Sequence, residues 1–375
     1  MHDDIAQRIA KSAGEADLVD TLAAKISGSE LHSILLAVLK QRVGKVEKAA
    51  LMQPSPVTKA CDLDGRLLNK IEGLTYAAAA GYDAIELSPL NPFGAVPVLT
   101  GLDLANILST VRAFECASDP TVGMALECAR RRKKTAERKS VIRLCTNQRV
   151  VRFPMPQNPA YTSHFKLFSL VTAGRDSGSF SFEISALEEH IRCYLSLISN
   201  LMAIDFAFEE ISVELSDTRV VSHLCAEFGI DMAAVRSGVR ARDSKSSAKV
   251  LEAYPNLWPG KTTQPAEDLA QYNLPKHLIM QLVLLQEKIS PLSEKFPDVH
   301  IDFNLHRLTG LGYYQGPCFH IKAKNDRGEM FMLGDGGFVD WTQQLLTDGK
   351  ERLMTSAIGT ELVIRMFGKT KKTVT

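Results

Sequence analysis

The stretch RLTGLGYYQGPCFHI at 307–321 constrains the fold more than any other, because it joins a glycine-rich turn, paired tyrosines and an apolar strand. Ahead of it, VHIDFNL at 299–305 alternates apolar and polar residues, the period of a strand with one buried face. Gly310, Gly312 and Gly316 permit backbone conformations closed to other residues, or close approach by a ligand or another chain. Two strands meeting through this turn is the economical arrangement. Beyond it, KAKNDRGEM reads as a polar hairpin tip around Asn325, Asp326 and Gly328, leading into an apolar strand at 330–333. The tyrosines are then either half-buried packing in a β-meander or the wall of a ligand site.

The chain has 375 residues, 45% hydrophobic and 23% charged, enough for one large domain and a small one. A formal net charge of +1 gives no overall pull toward nucleic acid or an anionic membrane, so neither is the expected partner, although a local basic patch could still provide a nucleic-acid contact. The seven cysteines show no C-x-x-C pair and no Cys/His ligand spacing, which reads as reduced thiols in the cytoplasm. There is no eighteen-residue apolar run, and MHDDIAQ is not the start of a signal peptide.

In chain order, residues 1–52 read as a helical appendage carried by Leu18, Leu22, Ile26, Leu31, Ile34, Leu35, Val38 and Leu39, with Ser29 as a candidate cap. Residues 53–79 form a proline-containing linker and a helix starting near Gly65, with Gly81 as its stop. Residues 80–367 are the main domain. It begins with a strand at 84–87, and Pro89 then suits an edge or a subunit boundary. Asp119 stands ahead of a helix at 122–130, where it is a natural N-cap. RRRKKTAERK at 130–139 reads as a solvated basic end, contact with phosphate being the lesser alternative. Strands follow at 141–153 and 165–174 around a proline-containing loop. Residues 179–201 read as a strand continuing into a helix, with Glu188, Glu189 and His190 on its exposed face. A strand at 206–217 precedes an insertion, 218–298, of polar loops and a helix at 277–289; residues 368–375 are a basic tail.

Three segments in order, LTGLGYYQG at 308–316, GGFVDWT at 336–342 and AIGTELV at 357–363, follow two more upstream: the strand ending near Pro89 and the strand–loop–strand at 141–174. Together they resemble the catalytic domain of class II aminoacyl-tRNA synthetases of the histidyl type. The resemblance implies an α+β fold, an antiparallel sheet flanked by helices with a small N-terminal helical appendage, and a homodimer with Pro89 at the interface. It implies that Asp119 and Thr121 hold a substrate ammonium, and that Tyr313, Tyr314 and Asp340 line the substrate pocket. Arg152 would contact the ATP α-phosphate and the substrate carboxylate, as a guanidinium can bridge two anions; Arg149 lies three residues earlier, on the other strand face. Glu361 would sit at the cofactor end.

The departures are as informative as the matches. The family's arginines fall at Ala117, Thr309, Phe338 and Leu362, its adenine-contacting glutamate at Pro154, and an aspartate at Gly312. Arg307, two residues from Thr309 on the same strand face, is the candidate substitute. Adenylate chemistry needs preorganised cations, and the chain ends at Thr375 without room for an anticodon-binding domain of the usual size, so tRNA charging is not expected. Two readings remain. One is a regulatory or partner-binding subunit that binds an amino acid or related carboxylate, resembling the shortened regulatory subunit of ATP phosphoribosyltransferase. The other is an atypical ligase that activates a carboxylate with ATP and Mg²⁺ for a non-tRNA acceptor, Glu183 or Glu361 helping to bind metal.

Overall fold

The computed structural model describes residues 2–52, 55–135, 137, 139–153, 162–240, 261–262, 265–269, 272–304 and 307–368. Three N-terminal helices, α1 (His2–Ser12), α2 (Leu18–Asp20) and α3 (Gly28–Val43), precede α4 (Gly65–Ala78). Then come β1 (Asp83–Ala84), β2 (Leu90–Pro92), α5 (Ala95–Thr100), β3 (Phe114–Cys116) and α6 (Pro120–Lys134). The hairpin β4 (Ile142–Val151) and β5 (His164–Arg175) leads into α7 (Ser181–Met202), β6 (Glu209–Asp217), α8 (Thr218–Glu227) and α9 (Met232–Arg240). The remainder is β7 (Lys261–Thr262), α10 (Pro265–Asp268), α11 (Lys276–Lys295), β8 (Val299–Asn304), β9 (Pro317–Lys324), β10 (Met330–Val339), α12 (Trp341–Leu346), β11 (Glu351–Gly359) and α13 (Thr360–Phe367).

Nine of these strands form one sheet in the order β1-β4-β5-β11-β10-β9-β6-β8-β7, while β2 and β3 pair separately. Its central ladders, β4–β5, β5–β11, β11–β10, β10–β9 and β9–β6, are all antiparallel. Side-chain alternation divides the core into two layers. Phe168, Leu170, Met354 and Ile358 pack with Leu187, Ile191 and Leu195 of α7, whereas Val171, Ala173 and Leu353 pack with Val122, Met124 and Cys128 of α6. The expected antiparallel sheet flanked by helices is therefore present, and the layer holding α6 is the one that carries the cavity described below.

Several local expectations change. The 299–304 strand does not meet the next strand through the glycine turn; β8 runs parallel to β6, which separates it from β9. The hairpin tip after β9 forms as expected, with Asn325 Oδ1 accepting from the backbone of Arg327 and Glu329. No strand opens the 179–201 segment: Ser179 and Phe180 take left-handed φ values of 52° and 56°, and the chain enters α7 directly. His190 is not exposed but fully buried, between Thr172 and Ser356 hydroxyls at 3.0 and 2.7 Å, and Glu189 is clamped by Arg143. In the appendage, Ser27 rather than Ser29 caps α3, in a reciprocal box with Glu30. The polar loop at 240–249 lies almost wholly outside the described residues, as does Leu305.

The basic run after Cys128 is partly structural. Arg132 is buried and meets Glu351 bidentately, Nε–Oε2 2.9 Å and Nη2–Oε1 2.8 Å, fastening α6 to the start of β11. Removing one member of such a pair leaves a buried charge uncompensated. Glu351→Ala should therefore lower the unfolding free energy by about 3–5 kcal/mol in urea denaturation; a loss below about 1 kcal/mol, the range of surface pairs, would show that the pair does not hold α6 in place.

A cavity between the sheet and the N-terminus of α6

Asp119 initiates α6 as its N-cap, its Oδ1 accepting from the backbone N–H of Thr121 at 2.9 Å and the Thr121 hydroxyl at 2.7 Å. Pro120 occupies the first turn, where a missing N–H is tolerated. Arg152, just past β4, donates through Nε to the Ser118 carbonyl at 2.8 Å, and its guanidinium lies over the Phe165 ring at 5.3 Å. Its Nη2 is 3.8 Å from Asp119 Oδ2. One acid and one guanidinium are thus held side by side by separate elements.

The tyrosines complete this wall. Gly310 has a φ of +85°, and a Cβ there would lie 2.5 Å from the Tyr314 ring. On the ring's other side a Cβ on Gly337 would lie 2.6 Å from it, so both glycines are required for the ring to pack. Tyr313 stands edge-on to Tyr314 and Trp341, at 4.9 and 5.5 Å between centroids. Burial, then the nearby Asp119 charge, raises the Tyr313 phenol, and burial raises that of Tyr314, so both remain protonated donors.

Asp119, Thr121, Arg152, Tyr313, Tyr314 and Glu361 all line one cavity of about 460 Å³, within the size range of small-molecule sites. Phe165, Leu167, Met332, Leu333 and Leu362 give it apolar surface. Three expected residues lie elsewhere. Arg307 is not on the wall: its side chain is 1% exposed and sits behind it, donating to Asp335 Oδ1 at 2.7 Å and the Thr309 carbonyl at 2.9 Å. Asp340 accepts from Gln344 and faces a separate cleft with Arg219 and Arg352. Glu183 lines that same cleft and pairs with Arg352, apart from Glu361. Pro154 falls outside the described residues.

Two charged wall residues escaped the sequence reading. Asp335 lies two positions before Gly337 and hence on the same strand face, a signal available from strand period alone. Arg365 lies one turn beyond Glu361 on α13 and reaches the cavity, while its Nη2 pairs with Asp62. Glu361 itself accepts from Arg149 Nη2 at 2.5 Å. Arg149 shares its strand face with His164, opposite Arg152, and enters the site's chemistry only through this carboxylate. Among the described residues no group of three or more His, Cys, Asp or Glu side chains is placed to hold a metal ion.

No protein-family model and no curated protein matches the chain. Solved structures do. An ATP phosphoribosyltransferase regulatory subunit/histidyl-tRNA synthetase from Bacillus halodurans aligns with a TM-score of 0.63 at 15% identity, over 84% of this chain and 83% of that one. Histidyl-tRNA synthetase from Nostoc sp. PCC 7120 gives 0.59 at 15%, over 84% and 73%. A histidine–tRNA ligase subunit from Alicyclobacillus acidocaldarius gives 0.58 at 14%, over 83% and 96%. The chain therefore has a class II aminoacyl-tRNA synthetase-like fold. Within that class it is similar to the histidyl-tRNA synthetases and to a structure described jointly as the ATP phosphoribosyltransferase regulatory subunit. No helix of the described residues is long and apolar enough to cross a membrane.

His320, directly opposite Asp335 across the β9–β10 ladder, is 5% exposed. Burial, reinforced by Arg307, lowers its pKa from 6.5 to about 4, and burial lowers that of His190 to about 3. Unfolded chain then binds protons that folded chain does not, so this stability is complete above the unfolded pKa and lost as pH falls toward the folded one. His320→Gln should remove about 2 kcal/mol of the stability difference between pH values near 6.5 and 5. The check is urea denaturation at both; an unchanged difference would show that His320 takes up its proton in the folded protein as readily as in the unfolded chain.

Proposed function

We propose that this chain binds a free amino acid or a related carboxylate and acts as a regulatory or partner-binding subunit rather than charging tRNA. The observation that carries the reading is the juxtaposition of Asp119 and Thr121 with Arg152 on one cavity wall, Arg152 Nη2 lying 3.8 Å from Asp119 Oδ2. An α-amino acid presents an ammonium and a carboxylate one carbon apart, and this wall offers an acceptor pair beside a guanidinium. Charge-assisted hydrogen bonds of this kind are the stronger class.

The remaining cations favour a sensor over an ATP-using enzyme. Arg149 is committed to Glu361, Arg365 to Asp62 and Arg307 to Asp335, while Leu362 presents an aliphatic side chain to the cavity. A triphosphate with Mg²⁺ would have to displace carboxylates already in place. The alternative ligase reading has Arg365 in its favour, as a guanidinium one turn beyond Leu362 that reaches the same cavity. Surfaces for protein partners are at hand: Ile34, Leu35, Val38 and Leu39 of α3 are exposed, as are Phe93, Val98 and Phe114 around the β2–β3 pair, which suit a homodimer contact.

Isothermal titration with individual L-amino acids, with and without ATP and Mg²⁺, and pyrophosphate exchange on the same samples should show amino-acid binding that does not depend on ATP, without exchange. Amino-acid-dependent exchange would establish the ligase reading instead. Arg152→Ala should weaken amino-acid binding by about ten-fold or more, the loss of a charge-assisted pair. An unchanged affinity would place the carboxylate elsewhere.

A further inference from the structure

Asp335 is an acid that the synthetase-like pattern does not call for, and its surroundings are built rather than incidental. Arg307 lies behind it, removed from water, with Asp335 as its one ion-pair partner among the described residues. A buried guanidinium without a carboxylate is strongly unfavourable, so the pair fixes Asp335 in place. Arg307 Nη2 donates to Oδ1 at 2.7 Å, and His320 Nε2 lies 3.7 Å from the same oxygen, beyond hydrogen-bond distance. Oδ2 has no hydrogen-bond partner among the described residues, and the side chain, 37% exposed, lines the cavity.

The position relative to the amino-acid head completes the argument. Tyr313, Asp119 and Asp335 line the same cavity, with both carboxylates near enough to act on the Tyr313 phenol. Tyr314, Leu333 and Met332 supply apolar surface beside Asp335. A ligand whose head occupies Asp119, Thr121 and Arg152 extends past the tyrosines toward Asp335, its methylenes on apolar wall and its terminus on Oδ2. A carboxylate oxygen only accepts hydrogen bonds. An aliphatic terminus would leave Oδ2 desolvated and unpaired, and an acidic one would repel it.

We propose that Asp335, positioned by buried Arg307, selects an amino acid whose side chain ends in a nitrogen hydrogen-bond donor. The inference rests on the amino-acid-binding reading above and deepens it. It excludes acidic and purely aliphatic amino acids of the same length as ligands.

The test is titration of the intact chain with lysine, arginine, histidine and glutamine against norleucine, methionine and glutamate. At least one donor-bearing amino acid should bind about ten-fold or more tightly than norleucine, and glutamate more weakly still. Asp335→Asn should reduce the preferred ligand's affinity about ten-fold more than it reduces that of norleucine, with thermal melting of the variant confirming that it is folded. The comparison within the unmodified chain stands even if the variant fails to fold. Norleucine binding as tightly as every donor-bearing ligand, or Asp335→Asn lowering all affinities equally in a folded protein, would overturn the inference and leave the amino-acid reading intact. No binding of any amino acid would overturn both.

Discussion

A guanidinium taken out of water must be met by a carboxylate, and the burial of Arg307 against Asp335 turns that requirement into the floor of the cavity. The same guanidinium underlies the Tyr314 ring at 5.4 Å, and that ring lies between Gly310 and Gly337. Turn, strand β10 and tyrosine wall are therefore one packed unit. Moving any member exposes a charge or opens a void. A second buried pair, Arg132 with Glu351, ties the last turn of α6, the helix that begins at Asp119, to strand β11. The two ionic clamps share no residue.

Much of this frame was legible in the sequence, for local reasons. Asp119 reads as a cap because a short acid ahead of a helix satisfies free N–H groups, and the structure uses it so. The β4–β5 pair and the hairpin after β9 follow from strand period and turn residues, which are properties of neighbours in the chain. The glycines of the two segments were visible, and the packing of both against Tyr314 explains why each is needed.

What escaped the sequence reading was set by partners far along the chain. Whether Glu188, Glu189 and His190 lie outside or inside depends on which face of α7 meets the sheet, and His190 falls between Thr172 and Ser356, eighteen and 166 residues away. A histidine's polarity argues for exposure until two hydroxyls are brought to its ring. Likewise Arg307 shares a strand-like spacing with Thr309, which suggested a replacement at the wall, yet the chain turns at Gly310 and sends the guanidinium behind the tyrosines. The placement of β8 beyond β6, rather than beside β9, is a matter of sheet order, on which alternation is silent.

Fold and chemistry separate at the cations. A class II-like sheet can be specified by alternation, glycines and buried clamps without any free arginine facing a triphosphate, because none of those features depends on ligand charge. In this chain the arginines near the site are committed one by one: Arg149 to Glu361, Arg365 to Asp62, Arg307 to Asp335. Each pairing sets a carboxylate beside the guanidinium, which is what supports the proposal that the site does not use ATP. Arg152 differs. Its Nε is spent on a backbone carbonyl, but its side chain remains 44% exposed and Asp119 stands 3.8 Å away rather than in contact. One such guanidinium beside several fixed carboxylates is the charge pattern on which the proposal of a small zwitterionic ligand rests, since a zwitterion's ammonium would use acids that repel a nucleotide.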